Sequence, residues 1–490
     1  MEIKDLTPNL IWNYFDQITK IPHPSKKEGK IVQFLLDFAK SYGLEAKKDD
    51  ADNVLIKKPA TPGKENLSTV ILQSHVDMVC EKNNDVQHDF ENDPLQTYIE
   101  NGWVKAKGTT LGADDGIGVA ASLAILASND LEHGPLECLF TTDEETGLTG
   151  AFALQKGFLT GDILINLDTE EEGEFYIGCA GGKNTIATFT YTPESAPAGY
   201  FWFKAEVKGL NGGHSGGEID KGLGNANKIL TRYLWTLNKE YPVTLSQIDG
   251  GNLSNAIPRE AWAVAGIPME GKEKAIILAN ILQAEVEAEL KAVDPDVKIT
   301  VKSTDAPQVS IDKKNADNLL NALYACPHGV LGMSFEIPGL VETSNNMASV
   351  KMKEGNTIVV TTSQRSSTNS LKMDTVNKVT AVFALAGAEI KETQGYPGWK
   401  PNANSAILKV SEKIYQDLFG NKPEVKAIHA GLECGLFLEK YPHLDMISIG
   451  PTILGAHSPE ERIEIATVEK WWKFTVELLK NIPGKNISAK

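Results

Sequence analysis

The chain has 490 residues, of which 41% are hydrophobic and 23% charged, and its formal net charge is −17. This length predicts two or three domains, and the composition argues against long disordered segments. The negative charge disfavours nucleic acid and anionic membrane surfaces as partners. No secretory signal pattern and no membrane-spanning apolar run is found, so we expect a cytoplasmic protein. The five widely spaced cysteines predict reduced thiols.

The first third of the chain alternates helix and strand patterns. A helix is predicted at residues 27–43, where apolar residues recur at helical spacing. Buried strands are predicted for three short apolar runs, at 68–76, 135–142 and 162–168. A buried helix at 116–128 separates the first two runs. This order indicates an α/β domain with a mixed or parallel sheet.

The middle of the chain has a different pattern, in which alternating strand segments are combined with longer helices. Helices are predicted here at about 220–239, 272–292, 313–325 and 374–390. The pattern predicts a separate α+β domain. Its strand and helix patterns occur in two rounds, which favours two related halves, although no exact repeat is found.

The α/β pattern returns near the C-terminus, with a helix at 403–419 and a strand at 444–450. We therefore predict one α/β domain that is interrupted by a large insertion. The predicted bounds are 1–187 and 396–490 for the two parts of the α/β domain, and 188–395 for the insertion.

Acidic and histidine residues follow the predicted strands at the points where the strands end. They are His75 with Asp77, Asp114 with Asp115, Asp143 to Glu145, Asp168, and His457. Any one of these clusters is more often a helix cap or a solvated loop. In open α/β sheets, however, ligands bind at the carboxyl ends of the strands. Together the clusters therefore predict a single site.

A site that contains His75, Asp114, Glu145, Asp168 and His457 would concentrate negative charge and require cations. Imidazole and carboxylate ligands suit zinc, cobalt or manganese. The carboxylate of Asp114 can bridge two metals about 3.5 to 4 Å apart, which leaves two further ligands for each metal. We predict two divalent ions, with zinc as the first choice and cobalt or manganese as alternatives.

Two more carboxylates have predicted roles beside these ligands. Asp77 lies two residues after His75, on the same side of an extended strand, so it can accept the second ring N–H of that histidine. Glu144 is adjacent to Glu145, and a loop lets one of them bind metal while the other takes a proton from the attacking water. We assign Glu144 as the general base, which later delivers the proton to the leaving amine.

These residues lie in strings that resemble a known family. SHVDMV, GADDGIGVA, TTDEETGLTGA, NLD and GAHS resemble the metallopeptidase family of dinuclear zinc aminoacylases, carboxypeptidases and dipeptidases. HAGLECG at 429–435 and ETSNN at 342–346 resemble its aminoacyl-histidine dipeptidase branch, also described as Xaa-His dipeptidase or carnosinase-like. With this branch, the resemblance covers nearly the whole chain.

The resemblance implies a zinc-exopeptidase-like catalytic domain with an inserted lid that closes over a dipeptide substrate. It implies one metal on His75, Asp114 and Asp168, and a second on Asp114, Glu145 and His457. The implied reaction is hydrolysis of unblocked dipeptides, of the Xaa-His type. Such proteins often pair through the lid, so a homodimer is one arrangement; a doubled lid within one chain is the other.

Further substrate contacts are predicted outside the metal ligands. His214 lies among glycines and resembles the family's lid histidine, which would donate to the developing oxyanion. Asn255 and Arg365 are candidate clamps for the substrate carbonyl or C-terminal carboxylate. A turn histidine and a surface salt bridge are the alternatives for His214 and Arg365. Glu433 and Gly435 belong to the HAGLECG string, whose loop N–H groups are expected to bind substrate.

Other functions remain open at this point. An N-acyl-amino-acid deacylase would use the same metal ligands and differ only in what binds the amino end. A two-metal phosphoesterase would need Arg or Lys around the metals, and the five clusters contain neither. An inactive metal-binding protein would have no need of Glu144. The acidic run Glu170–Glu172 is interpreted as a solvated turn.

Overall fold

The computed structural model describes residues 2–485. Within this range the α-helices are α1 Asn9–Ile18, α2 Gly29–Ser41, α3 Ala113–Ala127, α4 Thr149–Ala153, α5 Ala226–Glu240, α6 Lys272–Leu290, α7 Lys313–Ala325, α8 Asn369–Leu385, α9 Ala406–Phe419, α10 Glu433–Lys440 and α11 Ile465–Lys480.

The strands of the first third are β1 Glu45–Lys48, β2 Val54–Lys58, β3 Val70–His75, β4 Thr97–Glu100, β5 Trp103–Ala106, β6 Leu136–Thr141, β7 Ile163–Asn166 and β8 Glu174–Cys179. The strands of the middle region are β9 Gly181–Thr190, β10 Pro193–Ser195, β11 Tyr200–Lys208, β12 Gly213–His214, β13 Thr244–Gly250, β14 Ala256–Ile257, β15 Ala261–Pro268, β16 Lys298–Ser303, β17 Val309–Ile311, β18 Gly329–Met333, β19 Val341–Lys353, β20 Thr357–Ser366 and β21 Glu389–Glu392. The remaining strands are β22 Glu424–Ile428, β23 Asp445–Ser448, β24 Ile453–Leu454 and β25 Arg462–Glu464.

Two compact units divide the chain. The first, here called the α/β unit, contains the residues up to Gly178, the segment Pro401–Ala427 and the residues from Leu432 onward. The second, here called the inserted unit, contains Cys179–Lys400 and the short segment Ile428–Gly431. The predicted insertion spans 188–395, within the longer of these two segments.

The α/β unit is built on an eight-stranded sheet in the order β1-β2-β6-β3-β7-β23-β8-β22. The four strands β6, β3, β7 and β23 are parallel, whereas β2 and β8 pair with this block in the antiparallel direction. The predicted mixed sheet is thereby confirmed. Because β3 and β6 are buried along their whole length, their sequences read as continuous apolar runs rather than alternating ones.

Helix α3 lies at the centre of the α/β unit. Its residues from Ala113 to Leu126 are all buried, and it packs against α1 and β3. Apart from Asp114, Asp115 and Ser122, its residues are apolar or glycine on all sides, as expected for a helix with no solvent-facing side. The predicted helices and strands of this region are confirmed, whereas α1 is an element that the sequence patterns did not predict.

The inserted unit contains a nine-stranded sheet in the order β16-β11-β15-β13-β19-β20-β9-β21, with β18 paired to β19. Helices α5 to α8 contribute to its hydrophobic core. The predicted helix at 374–390 is wrong at both ends. It begins earlier, at Asn369, and ends at Leu385 because Gly387 adopts a φ of +85°, after which the chain pairs with β9 as β21.

The five cysteines, all among residues 2–485, form no disulfide with one another. Among residues 2–485, none of the helices combines the length and the apolarity that crossing a bilayer requires.

Candidate metal centre

The carboxyl ends of neighbouring strands position the predicted metal ligands. His75 is the last residue of β3, Asp168 follows β7 by two residues, and Glu145 lies in the turn after β6. Since β3 lies between β6 and β7 in the sheet, these three strand ends meet at one edge. Asp114 lies in the first turn of α3, and His457 follows β24 by three residues. The structure brings all five residues together within the α/β unit.

Asp114 divides the site into two groups of ligand atoms. Its Oδ1 lies 3.1 Å from Nε2 of His75, and that nitrogen lies 3.5 Å from Oδ1 of Asp168. Its Oδ2 lies 3.1 Å from Nε2 of His457, which in turn lies 3.1 Å from Oε2 of Glu145. Each oxygen of one carboxylate therefore faces a different histidine and a different second carboxylate. Ligand atoms of His75, Asp114 and Glu145 all lie within 4.8 Å of one another.

Asp77 connects the histidine of the first group to the turn that carries the two glutamates. Its Oδ1 lies 3.4 Å from Nδ1 of His75 and accepts the backbone N–H of Glu144 at 3.0 Å. Its Oδ2 accepts the backbone N–H of Glu145 at 3.3 Å and the hydroxyl of Ser25 at 2.8 Å. One buried carboxylate thus orients a ring and holds the backbone of its neighbours, as expected for a residue that supports metal ligands.

Two residues at the site adopt left-handed backbone conformations without being glycine. Asp143, which precedes Glu144, has φ +49°, and His457 has φ +62°. The Asp143 carboxylate accepts hydrogen bonds from the hydroxyls of Thr146 and Thr149, which stabilise its turn. Non-glycine residues in this region of φ/ψ space are uncommon and cluster at functional sites.

The electrostatics follow from the proximity of buried carboxylates to two imidazoles, that of the buried His75 and that of the exposed His457. Hydrogen bonds to Asp114 and Glu145 raise the pKa of His457 to about 11. Burial lowers the pKa of His75, but Asp168 and Asp114 outweigh it, and the pKa lies well above its usual value. Burial raises the pKa of Asp168 to about 7. Burial also raises the pKa of Glu144 well above its usual range, with neighbouring carboxylates acting in the same direction.

These residues fit a pair of divalent cations. No Lys or Arg among residues 2–485 lies within 4.0 Å of the carboxylates of Asp114, Glu145 or Asp168, so histidines are their only cationic neighbours. The Oε1 atom of Glu145 is buried and has no hydrogen-bond partner. A buried carboxylate oxygen without a partner is costly, and a metal ion would satisfy it. The imidazole and carboxylate donors are those that zinc, cobalt and manganese accept.

A second group of predicted residues lies in the inserted unit. Arg365 is only 7% exposed, donates from Nη1 to the hydroxyl of Tyr396 at 3.0 Å, and has a buried Nε without a partner. His214 is half-buried, and burial and the charge of Arg365 lower its pKa. Asn255 is exposed; its carbonyl accepts the N–H of Ser215, next to His214. A surface salt bridge does not account for Arg365, because none of the described carboxylates lies within 4.0 Å of its guanidinium.

Glu433 and Gly435 are both buried in the α/β unit, where they form the first turn of α10 and not a loop. The Glu433 carboxylate accepts from Nε2 of Gln73 at 2.6 Å and from the hydroxyl of Thr141 at 2.7 Å. Burial raises the pKa of Glu433 to about 7. The N–H of Gly435 donates to the carbonyl of Leu432 at 3.2 Å. Substrate binding by these two residues stays a prediction.

The structure adds residues that the sequence reasoning left out or misread. His23 is buried, and its ring interacts electrostatically with Asp77. Glu172 is not a solvated turn residue, because it accepts from the hydroxyl of Tyr415 and from Nζ of Lys470, both at 2.8 Å. Glu170 and Glu171 are exposed, as the solvated-turn interpretation predicts. No sequence pattern marks these contacts, because their partners are distant in the chain.

Comparison with known proteins gives the family. Residues 71–481 match Peptidase family M20/M25/M40. The chain belongs to this family. It is 45% identical over 484 residues to a cytosol non-specific dipeptidase from Escherichia coli, covering 99% of this chain and 100% of that protein. The structure of an aminoacylhistidine dipeptidase from Vibrio alginolyticus superposes with a TM-score of 0.93 at 45% identity, covering 99% of both chains.

An aminopeptidase PepT from Bacillus cereus shares the fold, with a TM-score of 0.61 at 16% identity over 97% of this chain and 99% of that one. The resemblance inferred from the sequence strings is confirmed, and this M20 protein is an enzyme of the metallopeptidase class. The role of each residue in the metal centre stays a prediction.

Zinc binding to this M20 protein should release protons and weaken as the pH falls. The raised pKa values of His75 and His457 leave both rings protonated near pH 7 in the metal-free protein, so an incoming ion must displace those protons. Calorimetric titration with zinc in two buffers of different ionisation enthalpy should report release of about two protons per chain near pH 7. Zinc binding without proton release near pH 7 would contradict this description of the two histidines.

Proposed function

We propose that this peptidase hydrolyses the amide bond of unblocked dipeptides, Xaa-His dipeptides among them, with two divalent ions and Glu144 as general base. The two relatives that match nearly the whole chain at 45% identity are named dipeptidases, and the predicted dipeptidase activity is confirmed at that level. One observation supports the proposed mechanism: the two oxygens of the Asp114 carboxylate face different histidines, His75 and His457.

The residues of the proposed centre divide as follows. His75, Asp114 and Asp168 would hold one ion, and Asp114, Glu145 and His457 the other. Zinc is the proposed metal, with cobalt or manganese as alternatives. When bound, two such ions supply Lewis acidity for the substrate carbonyl and for the attacking water.

Glu144 is proposed to take the proton of the attacking water and deliver it to the leaving amine. Its backbone N–H is held by Asp77, and its side chain has no salt bridge with any Lys or Arg among residues 2–485. Burial raises its pKa above the usual carboxyl range, toward the value at which a carboxylate is an effective proton acceptor near neutral pH.

His214 is proposed to donate a hydrogen bond to the developing oxyanion. Its Nδ1 accepts the backbone N–H of Gly217 at 3.1 Å, so the neutral ring carries its proton on Nε2. Burial and the charge of Arg365 lower the pKa of His214, which favours that neutral form. A neutral Nε2–H is a suitable donor to an oxyanion.

Arg365 is proposed to bind the C-terminal carboxylate of the dipeptide. A buried guanidinium without a carboxylate partner is unfavourable unless a ligand supplies the negative charge. The hydrogen bond to Tyr396 uses one N–H group of the Arg365 guanidinium and leaves most of the others available for a bidentate contact with a carboxylate. Asn255, exposed beside the His214 strand, is proposed to contact the substrate carbonyl.

We also propose a cytoplasmic location, since the Escherichia coli relative is named a cytosol enzyme.

A homodimer stays a prediction. Helix α6 exposes Ile276, Ile277 and Ile281, and a clustered apolar surface favours contact with another protein surface. Light scattering that gives the mass of a single chain would exclude the dimer.

The substrate class is tested with a panel on zinc-reconstituted protein, with and without chelator. The panel contains an Xaa-His dipeptide, a dipeptide without histidine, a tripeptide and an N-acetyl amino acid. We expect chelator-sensitive cleavage of the dipeptides, the Xaa-His dipeptide included. Cleavage of the N-acetyl amino acid alone would identify a deacylase instead, and no cleavage of any compound would identify an inactive metal-binding protein.

Glu144→Gln should abolish turnover and leave metal binding intact. The substitution keeps the size of the side chain but removes its ability to accept the proton, so we expect kcat to fall by about 10²- to 10⁴-fold. Metal analysis should still give two zinc ions per chain, whereas Glu145→Gln should lose the second ion. A Glu144→Gln protein with kcat within about tenfold of wild type would eliminate Glu144 as the base.

Arg365→Lys should impair substrates that have a free C-terminal carboxylate. Loss of a buried bidentate contact predicts a fall in kcat/KM of about 30-fold or more for dipeptides, mostly through KM. Hydrolysis of the corresponding dipeptide amide should change little, because it lacks the carboxylate. Arg232→Lys is the matched control, since Arg232 forms exposed salt bridges with Glu285 and Glu289. An equal loss on dipeptide and amide would refute the carboxylate assignment.

A further inference from the structure

Glu461 is a buried carboxylate that binds the loop leading into Asp114. Its Oε2 accepts the backbone N–H groups of Leu111 at 2.7 Å and Gly112 at 3.0 Å. Its Oε1 accepts those of Ala113 at 2.7 Å and Asp114 at 3.3 Å. The side chain is 2% exposed, and four successive N–H groups at the start of α3 are satisfied by one residue about 350 positions away in the chain.

The same residue closes the turn that directly follows His457. The N–H of Glu461 donates to the carbonyl of Ser458 at 3.0 Å, and the hydroxyl of Ser458 donates to the carbonyl of Gly455 at 2.7 Å. His457, with its left-handed φ of +62°, lies between Gly455 and Ser458, immediately before the turn that Glu461 closes. Glu461 therefore links, through one side chain, the segment of Asp114 and the segment of His457.

The two ligand groups differ in how their backbone is held. In the first group, His75 ends β3 and Asp168 follows β7, and these strands are hydrogen-bonded neighbours in the sheet. In the second group, His457 lies outside the eight-stranded sheet, in the loop between β24 and β25 and directly before the turn that Glu461 closes. The sheet positions His75 and Asp168, whereas the Glu461 contacts, together with the pairing of β24 with β25, set the separation between Asp114 and His457.

We propose that Glu461 is a positioning residue for the second metal, which fixes Asp114 and His457 at the separation that one ion requires. This inference rests on the dinuclear centre proposed above. Four N–H donors converge on the carboxylate, and the N-terminus of α3 adds a favourable dipole. Residues that hold metal ligands in this way typically change metal affinity by about 10- to 100-fold when substituted.

Glutamine cannot reproduce these contacts. In Glu461→Gln, one oxygen remains to accept hydrogen bonds, while the new amide N–H₂ faces backbone donors. At least two of the four loop N–H groups therefore lose their acceptor. Glu461→Asp keeps the charge on a shorter side chain and should give a smaller change of the same kind.

Glu137 provides the matched control in the same unit. It is 1% exposed, and its carboxylate accepts the backbone N–H groups of Thr160 at 2.9 Å and Gly161 at 3.2 Å. It lies near the start of β6, at the end of the strand opposite the metal ligands. Glu137→Gln removes a buried carboxylate acceptor of backbone N–H groups without touching the centre.

The test is calorimetric titration of metal-free protein with zinc, together with the melting temperature of each metal-free variant. In wild type we expect two binding steps. In Glu461→Gln one step should lose about tenfold or more in affinity, while the other changes by less than about threefold. Glu137→Gln should lower the melting temperature and leave both steps unchanged. If Glu461→Gln does not fold, Glu461→Asp is titrated in its place, with the same split expected at smaller size.

The outcomes separate this inference from the proposal on which it rests. A wild-type protein that binds fewer than two zinc ions would refute the dinuclear centre itself. A wild type with two steps and a Glu461 variant with the same two affinities would overturn the positioning role. Parallel weakening of both steps in the Glu461 and Glu137 variants, in proportion to their melting temperatures, would show a purely structural role.

Discussion

The α/β unit is organised around the position of one buried carboxylate, that of Asp114. Each of its oxygens lies 3.1 Å from a different histidine, one at a strand end and the other in a turn near the C-terminus. These partners come from segments far apart in the chain, so the parallel sheet, α3 and the turn at His457 must all be in place before the centre exists. Asp77 and Glu461 extend this arrangement by binding the backbone on either side of it.

The carboxylates that would bind the metal ions also destabilise the metal-free α/β unit. Buried carboxylates without Lys or Arg partners destabilise a fold, and here burial raises the pKa of Asp168 to about 7. Divalent cations would remove this penalty, which links metal binding to the stability of the unit. The inserted unit has the opposite imbalance at Arg365, a buried cation without a described carboxylate partner.

Several site residues could be predicted from their spacing in the sequence. The pairs His75 with Asp77 and Glu144 with Glu145 lie at predicted strand ends, and the strand order brings them to one edge because parallel neighbours end on the same side. The contacts of Glu461, His23 and Glu172 could not be read in this way. Each depends on partners hundreds or tens of residues away, and neither periodicity nor motif spacing encodes such a pairing.

The sequence by itself determined the α/β class and the family, because burial periodicity and short strings at strand ends are local properties of the chain. Tertiary structure alone decided which oxygen of Asp114 faces which histidine, that Arg365 is buried without a carboxylate partner among the described residues, and that Glu461 binds the loop before Asp114. The physical reason is that these features are distances and exposures between segments remote in sequence. Such quantities are fixed only when the whole unit packs.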